Sequence, residues 1–127
     1  MYDTICKVDE LKGKTLSRVD ASNSEIVFTT TAGEVYKMYH MQDCCESVYI
    51  ESIVGDLDDL VGSEILVAED SENLFDVIKN FGKQEDSEES YTWTFYKFAT
   101  RKGYVDIRWY GSSNGYYSES VDFVKEK

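Results

Sequence analysis

The densest group of chemically reactive side chains lies between residues 40 and 46. Its members are His40, Gln42, Asp43, Cys44, Cys45 and Glu46. Imidazole, thiolate and carboxylate groups bind zinc, and a thiolate beside an imidazole can act as a nucleophile. The spacing favours neither chemistry, because there is no Cys-x-x-Cys, His40 is the only histidine, and neighbours on an extended chain point in opposite directions. We therefore expect no metal and no other cofactor. We expect a turn in which Gln42 or Asp43 bonds to nearby backbone and one cysteine is buried.

A second candidate site lies in the last third of the chain. Residues 91–127 hold 11 of the 18 aromatic residues and carry six basic and four acidic side chains, a net charge of +2. A cationic, aromatic surface suits stacking on a planar anionic ligand such as a nucleotide, or a protein hot spot. The alternative is that the rings pave a twisted sheet and Arg108 pairs with a carboxylate. The candidate ligand-binding residues are Trp93, Arg108, Tyr110, Asn114 and Tyr116.

Acidic side chains are concentrated in the middle of the chain. Residues 55–90 contain 12 acidic and two basic residues, which accounts for −10 of the total net charge of −12. Such a chain is repelled by nucleic acid and by anionic lipid, so we expect neither as a direct partner. Carboxylates on a rigid surface can instead imitate DNA phosphates and occupy a basic cleft, although a solvated face is the commoner meaning of such runs. The candidate partner-binding residues are Asp56, Asp58, Asp59, Glu69, Asp70, Glu72, Glu85, Asp86, Glu88 and Glu89.

The hydrophobic pattern predicts the α+β class, with about eight strands in two antiparallel meanders and one amphipathic helix. The predicted strands are 15–21, 25–31, 34–41, 48–54, 64–68, 91–100, 104–110 and 116–124. Leu74, Ile78 and Phe81 share a helical face, which predicts the helix over 71–81. Short helical segments are expected at 4–12 and 56–61, and an exposed acidic loop at 83–90.

Length and composition predict a single soluble domain over residues 1–127. No apolar run approaches membrane-spanning length, and the first residues do not resemble a signal peptide, so we expect a cytoplasmic protein. The three cysteines are odd in number, and adjacent Cys44 and Cys45 could bridge only through a strained ring. We therefore expect free thiols.

Three segments give the chain a family resemblance. They read HMQDCCESV at 40–48, TWTFYK at 92–97 and IRWYGSSNGYYS at 107–118. Together they resemble a family of small uncharacterised proteins of bacteriophages and prophages, over residues 33–123. The resemblance implies a phage origin and transfers no catalytic residue.

These observations leave three functional hypotheses. The first is a non-enzymatic phage-type accessory protein that binds and inhibits a host defence or DNA-handling protein through its acidic surface. The alternative is a module that binds a small anionic ligand, such as a nucleotide signal, through Arg108 and the neighbouring rings. The weakest is a Cys/His-dependent or metal-dependent enzyme at 40–46.

Overall fold

The computed structural model describes residues 4–42, 45–72, 90–113 and 119–126. In this part of the chain, nine strands form two antiparallel sheets. The first sheet contains, in spatial order, β1 (Thr4–Ile5), β9 (Asp122–Lys125), β4 (Val35–Tyr39), β3 (Glu25–Thr30) and β2 (Leu16–Ala21). The second contains β5 (Ser47–Val54), β8 (Gly103–Ser113), β7 (Ser90–Thr100) and β6 (Val67–Glu72). The run β2–β3–β4 is the first expected meander. The second was expected from strands 91–100, 104–110 and 116–124, and only its first hairpin, β7–β8, is found. Strand β9 instead joins the first sheet beside β4, and β6 takes the place next to β7.

The two sheets pack face to face around a shared core. Phe28 of β3 meets Phe98 of β7 with ring centroids 5.4 Å apart. The indole Nε1 of Trp109 on β8 donates a hydrogen bond to Met38 Sδ on β4 at 3.2 Å. All four side chains are fully buried. The inner faces of both sheets therefore form the core of the described residues, and their outer faces are available to a partner.

Strand β8 confirms the alternation read from its sequence. Val105, Ile107 and Trp109 are completely buried. The residues between them, Asp106, Arg108 and Tyr110, are half-buried on the opposite face. Its partner β7, apolar on both faces, is an interior strand as expected.

The α+β prediction is wrong, because the described residues form almost entirely antiparallel sheet and include no helix of seven residues or more. Two short 3₁₀ helices are present, at Val8–Leu11 and Leu57–Leu60. The segment predicted as a helix at 4–12 splits into β1 and the first 3₁₀ helix. Only Val8 and Leu11 of its apolar stripe are buried, whereas Ile5 is 77% exposed. Val8 and Leu11 are three residues apart, which suits one turn of 3₁₀ helix, and Ile5 is not part of the buried face.

The amphipathic helix predicted over 71–81 is also corrected. Ser71 and Glu72 end strand β6, where they pair with Phe95 and Thr94 of β7. The ladder hydrogen bonds of that pairing override the local helical periodicity. The rest of the predicted helix, and the acidic loop up to residue 89, lie outside the described residues, while Ser90 begins β7.

Two strand boundaries moved. The strand predicted at 64–68 is found at Val67–Glu72, and the one predicted at 116–124 is found at Asp122–Lys125. The helical turn predicted at 56–61 is confirmed as the second 3₁₀ helix, which Asp56 caps by accepting the Asp58 backbone N–H at 2.9 Å. Among the described residues, no helix has the length and apolar character needed to span a bilayer.

Candidate binding face and buried polar sites

The outer face of the second sheet, which points away from the core, carries a cluster of four aromatic rings. Tyr110 of β8 lies at its centre, paired with Trp93 on β7 and Tyr49 on β5. Its ring centroid is 4.8 Å from that of Trp93, 5.9 Å from that of Tyr49 and 6.4 Å from that of Tyr91. Tyr49 is 40% exposed and the other three are half-buried. We call Tyr49, Tyr91, Trp93 and Tyr110 the aromatic cluster.

Arg108 borders the aromatic cluster and is also paired with a carboxylate. Its guanidinium carbon lies 5.3 Å from the centroid of the Trp93 ring. Its Nε donates a hydrogen bond to Glu51 Oε1 at 2.8 Å, and an Nη atom lies 2.7 Å from the same oxygen. The sequence-based alternative in which Arg108 pairs with a carboxylate is therefore confirmed, and its role in ligand binding stays a prediction. Glu51 neutralises much of the positive charge that a nucleotide phosphate would require.

A groove of about 480 Å³ lies on the same face, across β5, β6, β7 and β8. Glu69 pairs with Lys97, which pairs in turn with Asp106, so a lysine stands between two carboxylates. Asp70 also borders the groove, but it pairs with the buried Tyr96 and so belongs to the opposite face of the edge strand β6. Phe95 lies one row nearer the aromatic cluster. The Lys97 ammonium is turned towards Tyr104, 5.8 Å from its ring centroid. Within the described part of the chain, no ion pair or side-chain hydrogen bond involves any of the three carboxylates.

His40 and Glu46 form a buried, hydrogen-bonded pair. The His40 Nε2 lies 2.6 Å from Glu46 Oε2, and the two side chains are 4% and 0% exposed. The other ring nitrogen, Nδ1, lies 2.7 Å from the backbone carbonyl oxygen of Ser120. A carbonyl can only accept, so Nδ1 carries a proton, and one further proton is held between Nε2 and the Glu46 carboxyl group. Because both ring nitrogens are hydrogen-bonded, His40 links the end of β4 to the start of β5 and to the segment before β9. We call His40, Glu46 and the Ser120 carbonyl the histidine clasp.

The cysteines of the same segment differ from expectation. Cys45 is disulfide-bonded, so the prediction of free thiols is wrong for this residue. Cys6 is a free thiol. The predicted turn is supported by Gln42, whose side-chain nitrogen donates to the backbone oxygen of Glu46 at 2.7 Å. No group of three metal-ligating side chains occurs among the described residues, and Asp43 and Cys44 lie outside them.

A second buried carboxylate, Glu119, was not singled out from the sequence. It accepts hydrogen bonds from Thr92 at 2.7 Å and from Ser113 at 2.6 Å, one to each carboxylate oxygen. A Cβ atom added at Gly111 would lie 3.0 Å from both the Cβ and the backbone oxygen of Glu119, so close packing requires glycine there. Nothing in the local sequence marks Glu119, because its partners lie on β7 and β8. It fixes the segment that also supplies the Ser120 carbonyl to His40.

The acidic candidates that the structure describes do not form one continuous run. Asp56 caps the second 3₁₀ helix, Asp58 is exposed on it, and the Asp59 backbone oxygen accepts from Thr100 Oγ1 at 2.5 Å. Glu69 and Asp70 lie on the edge strand β6 beside the groove, and Glu72 ends that strand. The remaining candidates of both predicted sites fall outside the described residues. These are Glu85, Asp86, Glu88, Glu89, Asn114 and Tyr116.

Fold and site together define an all-antiparallel two-sheet protein with an aromatic and acidic outer face and a buried histidine clasp. The chain belongs to a family described as a domain of unknown function, DUF7448, whose model matches residues 9–123. No curated protein and no solved structure matches the chain.

Proposed function

We propose that this protein is a non-enzymatic phage-type accessory protein that binds and inhibits a host protein, using the outer face of the second sheet as its contact surface. The observation that carries the proposal is the exposed aromatic cluster bordered by Arg108, on a chain with a net charge of −12. The host defence or DNA-handling protein that it blocks presents a basic surface. Its site of action is the host cytoplasm.

The composition of the face supports a protein partner. Tryptophan, tyrosine and arginine are the residue types most enriched in interface hot spots, and this face presents all three within a few ångströms of one another. Their rings remain half-exposed although the core is already filled by other aromatic side chains. A protein that uses such a face gains contact area without a large rearrangement.

The charge of the molecule supports a basic partner. On this face Lys97 lies between Glu69 and Asp106, and Arg108 is paired with Glu51, so each cation has a carboxylate beside it. Because the chain carries a net charge of −12, its association with a cationic surface would be accelerated and its association with an anionic surface disfavoured. This is the property expected of a protein that occupies a nucleic-acid-binding cleft.

The enzyme hypothesis loses support at His40. A general base needs a ring nitrogen that can reach the group it activates. In His40, Nδ1 is engaged with Ser120 and Nε2 with Glu46, while Cys45 is disulfide-bonded. A thiol–imidazole mechanism would require both features to be undone.

A planar anionic small molecule is the second candidate ligand for the same face. The placement of the Arg108 guanidinium over Trp93 favours it, as does a groove volume within the range of about 300–1,000 Å³ usual for ligand pockets. The pairing of Arg108 with Glu51 and the net charge of −12 count against it.

The test is affinity capture from host lysate with quantitative mass spectrometry, comparing the parent with Trp93→Ala. The matched control is Ile5→Ser, which removes an apolar side chain that is 77% exposed on the first sheet. We expect one host protein to be retained by the parent and the control and lost by Trp93→Ala, and to dissociate as salt rises. The captured host protein, once purified, must lose activity in a defined assay when the parent protein is added. Equal capture by all three proteins would refute the proposal.

A further inference from the structure

Strand β6 presents a regular edge on which no other strand of the described residues pairs. It pairs with β7 over six residues without a register shift. An edge strand directs the N–H and C=O groups of alternate residues away from its neighbour, where they can pair with a further strand. The other edge strands in the described part of the chain suit such pairing less. Strand β1 has only two residues, and β2 and β5 each contain a shift of register that disrupts the edge.

A second groove, of about 460 Å³, runs along this edge, and we call it the edge groove. Five consecutive residues, 66–70, line one of its walls. Successive side chains of a strand point to opposite faces, so a cavity lined by all five reaches the backbone edge that the two faces share. The opposite wall is formed by Lys7, Asp9 and Lys12, which belong to the first 3₁₀ helix and its two ends. The edge groove is therefore shaped for an extended chain.

The protein itself already adds a short extended segment at the start of this edge. The Gly13 N–H donates to the Ile65 carbonyl oxygen, and the Ile65 N–H donates to the Lys14 carbonyl oxygen, each at 2.8 Å. Thr15 and Glu64 form an antiparallel bridge beside them. The pairing begins at Gly13, whose φ of 90° turns the chain out of the first 3₁₀ helix. Beyond that point the edge borders the edge groove instead of a paired segment.

We infer that the edge of β6 is the docking site for an extended, basic segment of a protein partner, which adds to the second sheet as a further strand. Backbone hydrogen bonds give such strand addition its affinity, and alternate side chains give it selectivity. The β6 sequence, VAEDSE, contains three acidic residues and no basic one. Opposite charges on neighbouring strands stabilise a sheet and like charges destabilise it, so lysine or arginine is favoured beside Glu69 and Asp70. A second copy of β6 would place carboxylates against carboxylates.

This inference goes beyond the proposed function, because the aromatic cluster could bind a partner without any strand addition. The two surfaces are nevertheless adjacent. Trp93 of the aromatic cluster lies on β7, and β7 is the direct neighbour of β6. Neighbouring strands are about 4.8 Å apart, so a partner that covers the cluster reaches the edge of β6 within a short distance.

The experiment adds a hexapeptide of alternating lysine and valine, blocked at both ends, to ¹⁵N-labelled protein and follows backbone amide hydrogen exchange. In the free protein, alternate amides among residues 67–71 should exchange fast, because they point away from β7. Saturation with the peptide should slow those amides at least about tenfold and leave their neighbours unchanged. Side-chain contact alone does not produce this period of two. The same peptide N-methylated at every residue should protect nothing, because it has lost its backbone donors.

Charge variants test the choice of a basic segment. A hexapeptide of alternating glutamate and valine should bind more weakly than the lysine peptide. Glu69→Gln should weaken binding of the lysine peptide by about two- to fivefold, since one cross-strand charge pair is lost. The matched control is Asp20→Asn, which removes an exposed carboxylate from the edge strand β2 and should leave the affinity unchanged. Equal losses in the two variants would show that only overall charge matters and would overturn the basic segment.

The exchange data can overturn the inference in several ways. Absence of protection in β6, protection without alternation, or equal protection by the N-methylated peptide would each do so. Slow exchange of all amides of residues 67–71 in the free protein would show that the edge is already covered by another part of the chain, or by a second copy if the protection rises with protein concentration.

Failure of the inference is separable from failure of the proposed function. A host protein that is captured by the parent and lost by Trp93→Ala supports the aromatic cluster, even if the lysine peptide protects no amide of β6. Alternating protection of β6 by the peptide, in a protein whose captured partners ignore Trp93→Ala, would support strand addition and refute the proposed function.

Discussion

Removal of the Glu46 carboxylate should cost far more stability than removal of an exposed carboxylate paired at the same distance. The Nε2–Oε2 distance in the His40–Glu46 pair is 2.6 Å, and the side chains are 4% and 0% exposed. The Arg18–Asp20 pair has the same 2.6 Å separation, but its side chains are 71% and 53% exposed. Burial is therefore the main variable between the two pairs.

The magnitude follows from that difference. Glu46→Ala leaves the His40 ring buried, without its acceptor, and leaves a cavity where the carboxylate was. Breaking a buried pair in this way costs about 3–5 kcal/mol. Asp20→Ala should change the free energy of unfolding by no more than about 1 kcal/mol, because solvent screens the exposed pair. A domain with about 5–15 kcal/mol of stability survives either change.

Urea denaturation followed by tryptophan fluorescence measures both changes. With a slope of roughly 2 kcal/mol per molar urea, Glu46→Ala should lower the midpoint by about 1.5–2.5 M, and Asp20→Ala by about 0.5 M or less. A third variant, His40→Leu with Glu46→Leu, should be more stable than Glu46→Ala, because it fills the cavity and removes the unpaired imidazole, although the half-buried Ser120 carbonyl loses its donor. If Glu46→Ala proves no more harmful than Asp20→Ala, the clasp does not hold these segments together and the reasoning from burial is refuted.

Three further predictions address the binding hypotheses and the free thiol. Arg108→Ala should leave the fold intact and abolish any thermal stabilisation by nucleotides; a broad nucleotide screen without a shift in the parent would reject the small-ligand candidate. Burial, aided by the charge of Glu10, raises the pKa of the Cys6 thiol to about 11. Its alkylation by iodoacetamide should therefore be slow at pH 8 and quicken about tenfold per pH unit, and a rate that levels off by pH 9 would contradict this. Replacement of four acidic residues together by serine should weaken partner binding and reduce its dependence on salt, while the melting temperature stays unchanged. The four residues are Glu85, Asp86, Glu88 and Glu89, and binding is measured at two salt concentrations. Unchanged binding would show that these charges serve only solubility.

The strands were predictable where burial on one face leaves a period of two in the sequence. Val105, Ile107 and Trp109 display that period, and all three are buried. The longer helices expected at 4–12 and 71–81 were not predicted correctly, because apolar spacing does not reveal whether each apolar residue is buried in the core. Ile5 completed a helical stripe in the sequence but is 77% exposed in β1, and Ser71 is paired with Phe95 across a ladder. Tertiary pairing outweighed local periodicity in both places.

The candidate binding face was predictable only in part. Trp93, Arg108 and Tyr110 belong to consecutive strands joined by a short turn, so their proximity follows from the hairpin alone. Glu51 and Glu69 come from β5 and β6, and no local pattern says which strand flanks which side of the hairpin. The groove and the neutralisation of Arg108 depend on that order. The 40–46 segment likewise displayed the residues of the clasp, whereas the Ser120 carbonyl that completes it lies 80 positions further along the chain.

The remaining choice is whether the aromatic cluster binds a partner or merely stabilises the sheet. Cross-strand aromatic pairs do stabilise sheets, by roughly 0.2–1 kcal/mol each. Tyr110 contacts three rings, so its loss would weaken the sheet under either interpretation. Tyr49 contacts Tyr110 at 5.9 Å and, at 40% exposed, is the most exposed ring of the cluster. Its replacement should therefore lower the free energy of unfolding less than replacement of Tyr110, while still removing exposed contact surface. Tyr49 is therefore the member of the cluster whose replacement would separate binding from folding.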